Sequence, residues 1–294
     1  MIKIGHLIDE RYRVISFLGE GGMAEVYEGF DIINKRRVAV KLMHEQLASD
    51  ENFKNRFRNE ASASAKLSHP NIVNVINLGS HLGRPYIINE IIVGATLQEL
   101  LDARRRFTYI EAIDAMIQLG KAVSFAHQNK IIHCDIKPTN VFLTTDGVIK
   151  LGDFGVAKIN LSPVDGIIVG SAHYLAPEVA QGKEATYASD IYSLGVTLFE
   201  LVTGRLPFDG ETNEDIALKH IKERFPSPKK YIANMPKALE KIIMRACKKR
   251  PRNRYKSVDL FVKDLENIKE NPELLKPHVN FFVRFFGFAT EEEN

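Results

Sequence analysis

The sequence predicts an α+β chain of two lobes: a small β-rich N-terminal lobe with one major helix, then a larger, mainly helical C-terminal lobe. Three observations predict it. Short runs rich in valine, isoleucine and aromatics, broken by Gly or Asn-Lys turns, fill most of residues 12–93. One stretch of helical periodicity interrupts them. After Gly94 the texture changes to longer helical segments. At 294 residues the chain is long for one hydrophobic core and comfortable for two.

The elements follow in order. Tyr12–Leu18, Ala24–Phe30 and Arg37–Leu42 read as strands. From Asp50 to Leu67, Phe53, Phe57, Ala61 and Ser64/Ala65 recur at helical spacing with charges between them. Ile72–Asn77 and Tyr86–Ile92 return to strand character, and the lobe boundary falls near Gly94. Thr96–Arg105 and Tyr109–Gln128 read as helices, the second carrying Ile110, Ile113, Ile117, Val123 and Phe125. Residues 131–175 are loop-rich, and several helices follow from Pro177 to Glu270. The two lobes together span residues 12–270, leaving 271–294 as a Phe-rich tail.

Composition excludes several functions. A net charge of +3, from 40 basic and 37 acidic residues, is too balanced for a nucleic-acid binder. The basic runs Lys35-Arg36-Arg37, Arg104-Arg105-Arg106 and Lys248-Lys249-Arg250 fit either solvated faces or a docking site for an acidic partner. Two cysteines, Cys134 and Cys247, exclude a disulfide framework and favour a reducing compartment. There is no zinc-ligand spacing, no signal-peptide pattern and no apolar run of the ~20 residues that span a bilayer. The expectation is a cytoplasmic chain.

Three motifs carry chemistry. Leu18-Gly19-Glu20-Gly21-Gly22-Met23-Ala24-Glu25-Val26 lies between two predicted strands. Glycines there let backbone N–H groups approach phosphate oxygens, although Gly-rich turns between strands are also common in proteins that bind none. No helix pattern follows, which excludes a dinucleotide fingerprint, and no Gly-Lys-Ser/Thr follows, which excludes a Walker A loop. Next, Val38-Ala39-Val40-Lys41 puts a lysine at the end of an apolar strand, costly unless it is paired or reaches solvent. Glu60 on the following helix is an available partner. Third, Ile132-His133-Cys134-Asp135-Ile136-Lys137-Pro138-Thr139-Asn140 precedes Asp153-Phe154-Gly155 and Ala176-Pro177-Glu178.

Taken in this order, the motifs resemble the eukaryotic-type protein kinase family across residues 12–270. Gly21-Gly22-Met23-Ala24-Glu25-Val26, His69-Pro70-Asn71-Ile72-Val73, Pro85-Tyr86-Ile87-Ile88 and Asn253-Arg254-Tyr255 are most similar to the bacterial serine/threonine kinases within it. The resemblance implies a two-lobed kinase fold. It also implies transfer of the γ-phosphoryl group of ATP to protein serine or threonine hydroxyls, with autophosphorylation.

The roles it implies fall on particular residues. Gly19, Glu20, Gly21, Gly22, Met23, Ala24 and Glu25 belong to the ATP-covering loop. Lys41 contacts the α- and β-phosphates and pairs with Glu60. Asp153 and Asn140 hold Mg²⁺, with Mn²⁺ as a substitute. Asp135 accepts or orients the substrate hydroxyl, and Lys137 neutralises charge on the γ-phosphoryl oxygens. Leu18, Val26 and Ala39 roof the adenine, Phe142 floors it, and Glu90 to Ile92 form the hinge. Ser171 supports Asp135 and Lys137, Glu178 pairs with Arg254, and Asp190 holds the catalytic loop. Expected partners are protein substrates and a second copy bound through the N-terminal lobe, with no nucleic acid.

Four features depart from the pattern. Ala24 replaces the third loop glycine. Cys134 replaces the arginine that docks a phosphorylated activation loop, and the segment from Asp153 to Glu178 holds no threonine, only Ser162 and Ser171. Loop phosphorylation is therefore not expected to be the main on-switch. Asn89 stands at the gatekeeper position. The tail segment Phe281-Phe282-Val283-Arg284-Phe285-Phe286-Gly287-Phe288-Ala289 is too short to span a membrane. It fits packing on the domain, interfacial membrane contact or partner binding. Two rival functions stand beside the kinase reading: a nucleotide-binding scaffold that signals through shape, and phosphotransfer to a small molecule such as an aminoglycoside. Lys41, Glu60, Asp135, Asn140 and Asp153 are all present, which argues against the scaffold. Ala176-Pro177-Glu178 and the lobe after Asp190 fit protein substrates better.

Overall fold

The computed structural model describes residues 2–154 and 172–276, apart from the side chains of Arg56, Glu60 and Ala63. The chain opens as strands β1 (Leu7–Ile8), β2 (Tyr12–Glu20), β3 (Ala24–Asp31) and β4 (Arg36–Met43). Helix α1 (Glu51–Ser64) precedes β5 (Val75–His81) and β6 (Arg84–Glu90). They form one antiparallel sheet in the order β1-β2-β3-β4-β6-β5.

Alternation along these strands sorts the side chains between two faces. Val38, Val40 and Leu42 of β4 join Tyr12, Tyr27, Tyr86 and Ile88 in one apolar cluster. The other face presents Ala24, Met43 and Ile87 to Phe57 and Ala61 of α1. Lys41 sits opposite Val26 and Ile87, and Ala39 opposite Asn89, so Val26, Ala39, Lys41 and Asn89 share the face turned toward α1. The sheet curls until its ends meet. Asn77 of β5 donates to the Tyr12 hydroxyl at 2.8 Å, Tyr86 donates to Asp9 at 2.5 Å, and His81 lies 3.0 Å from His6.

The second part begins with β7 (Gly94–Thr96), α2 (Leu97–Arg104) and α3 (Tyr109–Gln128). Both helices start with capping boxes, Thr96 with Glu99 and Thr108 with Glu111, which satisfy amides that have no partner inside the helix. β8 (Val141–Thr144) and β9 (Ile149–Leu151) complete a small sheet with β7. Gly94 is required there, because a Cβ on it would lie 2.1 Å from the Leu143 carbonyl oxygen. α4 (Pro177–Ala180), α5 (Tyr187–Thr203), α6 (Asn213–Lys222), α7 (Lys237–Ala246) and α8 (Val258–Glu270) follow. α5 is buried on every side from Ser189 to Thr203, the mark of a central core helix. It ends at Gly204, whose φ of +67° and close approach to the Arg105 carbonyl no side chain could share.

The strand expected over Ile72–Asn77 starts late, at Val75. Residues 71–73 instead pair with β9: Leu151 N–H donates to the Asn71 carbonyl, and Val73 N–H to the Leu151 carbonyl, both at 2.9 Å. This apolar run thus joins the first lobe to the strand that leads into Asp153.

Candidate active site

Asp190 of α5 organises the segment that carries the third motif. It is fully buried, and a buried carboxylate needs donors. Its Oδ1 accepts from the Cys134 amide at 2.9 Å. Its Oδ2 accepts from the His133 amide at 2.9 Å and from His127 Nε2 at 2.8 Å. Cys134 has φ +65°, a left-handed conformation uncommon outside glycine, and the carboxylate bonds its amide and the amide before it. The expected hold of Asp190 on this loop is thus a pair of backbone hydrogen bonds.

His133 is wholly buried, and burial pushes its imidazole pKa down. Its Nδ1 accepts from the Asp135 amide at 3.2 Å. Its Nε2 must then carry the proton and donate to the Gly152 carbonyl at 3.0 Å. One neutral histidine thereby links the Asp135 segment to the Asp153 segment, and it stacks on buried Phe154 with ring centroids 4.5 Å apart.

Asp135, Lys137 and Asn140 form one cluster. Lys137 Nζ lies 3.0 Å from Asp135 Oδ2. Asn140 Nδ2 donates to the Asp135 carbonyl at 2.9 Å and to its Oδ2 at 3.0 Å. The amide nitrogen is thus committed to Asp135, so the side-chain oxygen is what Asn140 offers a cation. The Gly152 amide donates to the Asn140 carbonyl at 2.9 Å, fixing the next strand beside the cluster.

Lys41 reaches across to Asp153 Oδ1 at 2.7 Å. The lysine is mostly buried, whereas the Asp153 side chain is 51% exposed. Lys41 is the main cause holding the Asp153 carboxyl below its usual pKa. The partner expected for Lys41 was Glu60, whose side chain lies outside the described residues; the pairing seen is with Asp153. Behind this pair is a cavity of ≈ 20 Å³ lined by Lys41, Ala61, Val75, Asn89, Asp153 and Phe154.

The remaining expected residues divide. Ala24, Val26 and Ala39 lie on the sheet face that carries Lys41. Leu18 is 52% exposed at the end of β2. Phe142 on β8 lies beneath Gly152, where a Cβ would stand 3.2 Å from its ring. Glu90 accepts from Lys150 Nζ at 2.8 Å and from the Asn74 amide at 2.8 Å, and Ile92 lies in the link to β7. Glu20 and Met23 sit at the turn between β2 and β3, with Gly19, Gly21 and Gly22 facing open space. Glu25 keeps its place beside the loop, but its side chain does not face the site. Alternation turns it to the opposite face, where it meets Arg84 at 3.0 Å and accepts from Tyr27. Ser162, Ser171 and the tail 277–294 lie outside the described residues.

Glu178 and Arg254 meet as expected, through two bonds of 2.7 Å. Burial pushes the Glu178 carboxyl up, but the bonds from Arg254 and Ser189 outweigh it and hold it below its usual range. A separate groove of ≈ 720 Å³ runs between α7 and α8 and carries none of the residues expected to bind ATP, cation or substrate. Sequence reasoning missed His127, which completes the Asp190 network, and His44, whose ring bonds the Gly21 carbonyl. A lone histidine in a single sequence gives no signal for either.

A curled antiparallel sheet carrying a buried lysine, set against a helical lobe whose carboxylates face it, defines the architecture of a two-lobed phosphotransfer protein. A protein kinase domain model matches residues 12–265. The chain belongs to the protein kinase family. It is 43% identical over 266 residues to serine/threonine-protein kinase PrkC of Bacillus subtilis, covering 90% of this chain. It is 41% identical over 271 residues to a probable serine/threonine-protein kinase of Clostridium acetobutylicum, covering 91% of this chain. The chain spans 41% of the length of each of these relatives. The PknI kinase domain of Mycobacterium tuberculosis has a crystal structure that matches with a TM-score of 0.74 at 25% identity, covering 91% of this chain and 99% of that one. Family membership implies use of ATP and a divalent cation on protein substrates. Among the described residues no helix is long and apolar enough to cross a membrane.

Proposed function

We propose that this chain is an ATP-dependent serine/threonine protein kinase that also phosphorylates itself. The observation that carries the reading is the meeting of two charge clusters: Lys41 with Asp153, and Asp135 with Lys137 and Asn140. Phosphoryl transfer asks a protein mainly for positioning and charge neutralisation, and these groups supply both.

Gly19, Gly21 and Gly22 support the phosphate-covering role. A Cβ on any of them would meet nothing within 4 Å, so the fold itself does not demand glycine there. The requirement comes from what approaches the loop. Asn140 and Asp153 offer hard oxygens, a donor set that fits Mg²⁺ or Mn²⁺ completed by phosphate oxygens and water. The cation neutralises charge on the triphosphate when bound. Lys41 steadies the α- and β-phosphates. Asp135, oriented by Lys137 and Asn140, accepts the proton of the incoming hydroxyl. Lys137 offsets charge growing on the transferred group. Leu18, Val26, Ala39 and Phe142 enclose the adenine, and the Glu90–Ile92 link supplies its polar contacts. The setting is the cytoplasm. Pairing through the N-terminal lobe and membrane contact through the tail belong to the same reading. Liposome pelleting of the full chain against one ending at Leu275 tests the second.

The decisive experiment is transfer from labelled ATP with Mg²⁺ to a generic basic protein, followed by phosphoamino-acid analysis. Wild type should label serine or threonine. Asp135→Asn and Lys41→Met should each lose about 10²-fold or more while staying folded. ATP binding with no transfer in the wild type would instead support a scaffold.

A further inference from the structure

We infer that His44 is a positioning residue for nucleotide, a latch that holds the glycine-rich loop over the phosphate site. The inference rests on the reading of residues 19–24 as the phosphate-covering loop. It adds a residue outside every motif that suggested that reading.

The loop tip has little to hold it. Its glycines face open space, so no packing fixes their position. One internal bond, from the Gly21 amide to the Ala24 carbonyl at 2.9 Å, closes the turn. Two further bonds to the tip come from His44. Its amide donates to the Met23 carbonyl at 2.9 Å, and its ring Nε2 lies 2.8 Å from the Gly21 carbonyl oxygen. A carbonyl can only accept, so the imidazole nitrogen carries the hydrogen and donates.

His44 is well placed for this. It follows Met43, which is fully buried against α1, and stands three residues after Lys41. The strand that carries the phosphate-binding lysine therefore also carries the loop's clasp. Loop and lysine are held in register before nucleotide arrives, and the ligand need not order the loop itself. The backbone bond survives any substitution at position 44 except proline, whereas the ring bond depends on the side chain. That separates the latch from the general integrity of β4.

The test uses titration calorimetry of the full chain with ATP and Mg²⁺, and separately with adenosine, which lacks phosphates. His44→Ala should weaken ATP binding about threefold to tenfold, the range for loss of one hydrogen bond, and leave adenosine unchanged. KM for ATP should rise by the same factor, with kcat within about twofold. His44→Gln keeps an N–H donor and should recover most of the affinity. His44→Phe keeps a ring without a donor and should behave as alanine. ATP binding unchanged in His44→Ala overturns the latch. So does equal weakening of ATP and adenosine, or wild-type affinity in His44→Phe, because each reduces His44 to a structural residue. Wild type that binds no ATP is a different result: it removes the phosphate-loop reading and the latch with it.

Discussion

Replacing Glu200 by glutamine should make the protein more stable above neutral pH. Glu200 lies on α5, only 7% exposed, and accepts from the Tyr174 hydroxyl at 2.5 Å. Tyr174 stands in the turn just before Pro177, and its carbonyl is itself held by Ser193 of α5. Burial pushes the Glu200 carboxyl from its ordinary 4.5 up to about 7; the Tyr174 bond opposes the shift and Asp102 of α2 adds to it. Between these two values the folded protein holds a proton that the unfolded chain has released. Stability therefore falls as pH rises through that window and levels off above it. At about 1.36 kcal/mol per unit, the ionised carboxylate costs the folded state up to ~3 kcal/mol above pH 7 and little near pH 5. Glu200→Gln cannot ionise, and its amide oxygen still accepts from Tyr174. Urea unfolding of both proteins from about pH 5 to pH 8.5 measures the difference. The variant's advantage should grow by about 1–3 kcal/mol across that range. A stability difference that stays flat with pH would refute the reasoning.

Three further outcomes follow from the same geometry. Arg254 donates to Glu178 twice and to the carbonyls of Ala188, Lys248 and Lys249, so Arg254→Met strands a buried carboxylate. It should cost about 3–5 kcal/mol in denaturant unfolding, and a loss under ~1 kcal/mol would show that Glu178 is not held this way. Gly22→Ala meets no neighbour and should change stability by less than about 0.5 kcal/mol while weakening ATP binding, which thermal unfolding and titration read separately. Burial and His6 hold His81 below its usual 6.5, so below that pH the unfolded chain takes up a proton the folded chain refuses and stability is lost as pH falls. His81→Gln should flatten the fall of Tm between about pH 5 and pH 7, and an unchanged slope would remove this histidine from the account.

Much of the architecture was legible in the sequence. Strands with clear alternation, such as Val38-Ala39-Val40-Lys41, appear where expected, and the helix expected over Tyr109–Gln128 has those bounds. Runs too short for a period were not legible: β1 has two residues and β7 three. Ile72 reads as a strand residue by composition, yet its neighbours pair across to β9, because partner choice is a tertiary matter that β propensity does not encode. In the site, motif spacing named the residues but not their partners. Glu25 carries a motif position, and only the pleat shows that its side chain faces Arg84. His44 and His127 belong to no motif, and only folded geometry brings them to Gly21 and Asp190.

Charge pairing neutralises both cationic side chains of the site within the protein. A lysine at the end of an apolar strand is unfavourable unless an anion meets it, and Asp153 does so at 2.7 Å. Lys137 and Asp135 meet in the same way at 3.0 Å. Each positive group proposed to act on phosphate is thus matched to a carboxylate from the segments that His133 and Asp190 tie together. On the proposed reading, a triphosphate and its cation would exchange these partners rather than create charge. Lys41 would trade a carboxylate for phosphate oxygens, and Asp153 an ammonium for the cation. With both states neutralised locally, that exchange would demand little of the surrounding fold. The stiff part can then be the backbone that aims the groups: two amides on Asp190, one imidazole between Asp135 and Gly152, and one carbonyl of Asn140 under the Gly152 amide. In this arrangement it is the Cys134 backbone, left-handed and bonded to Asp190, that helps to aim Asp135, and a cysteine supplies that backbone as an arginine would.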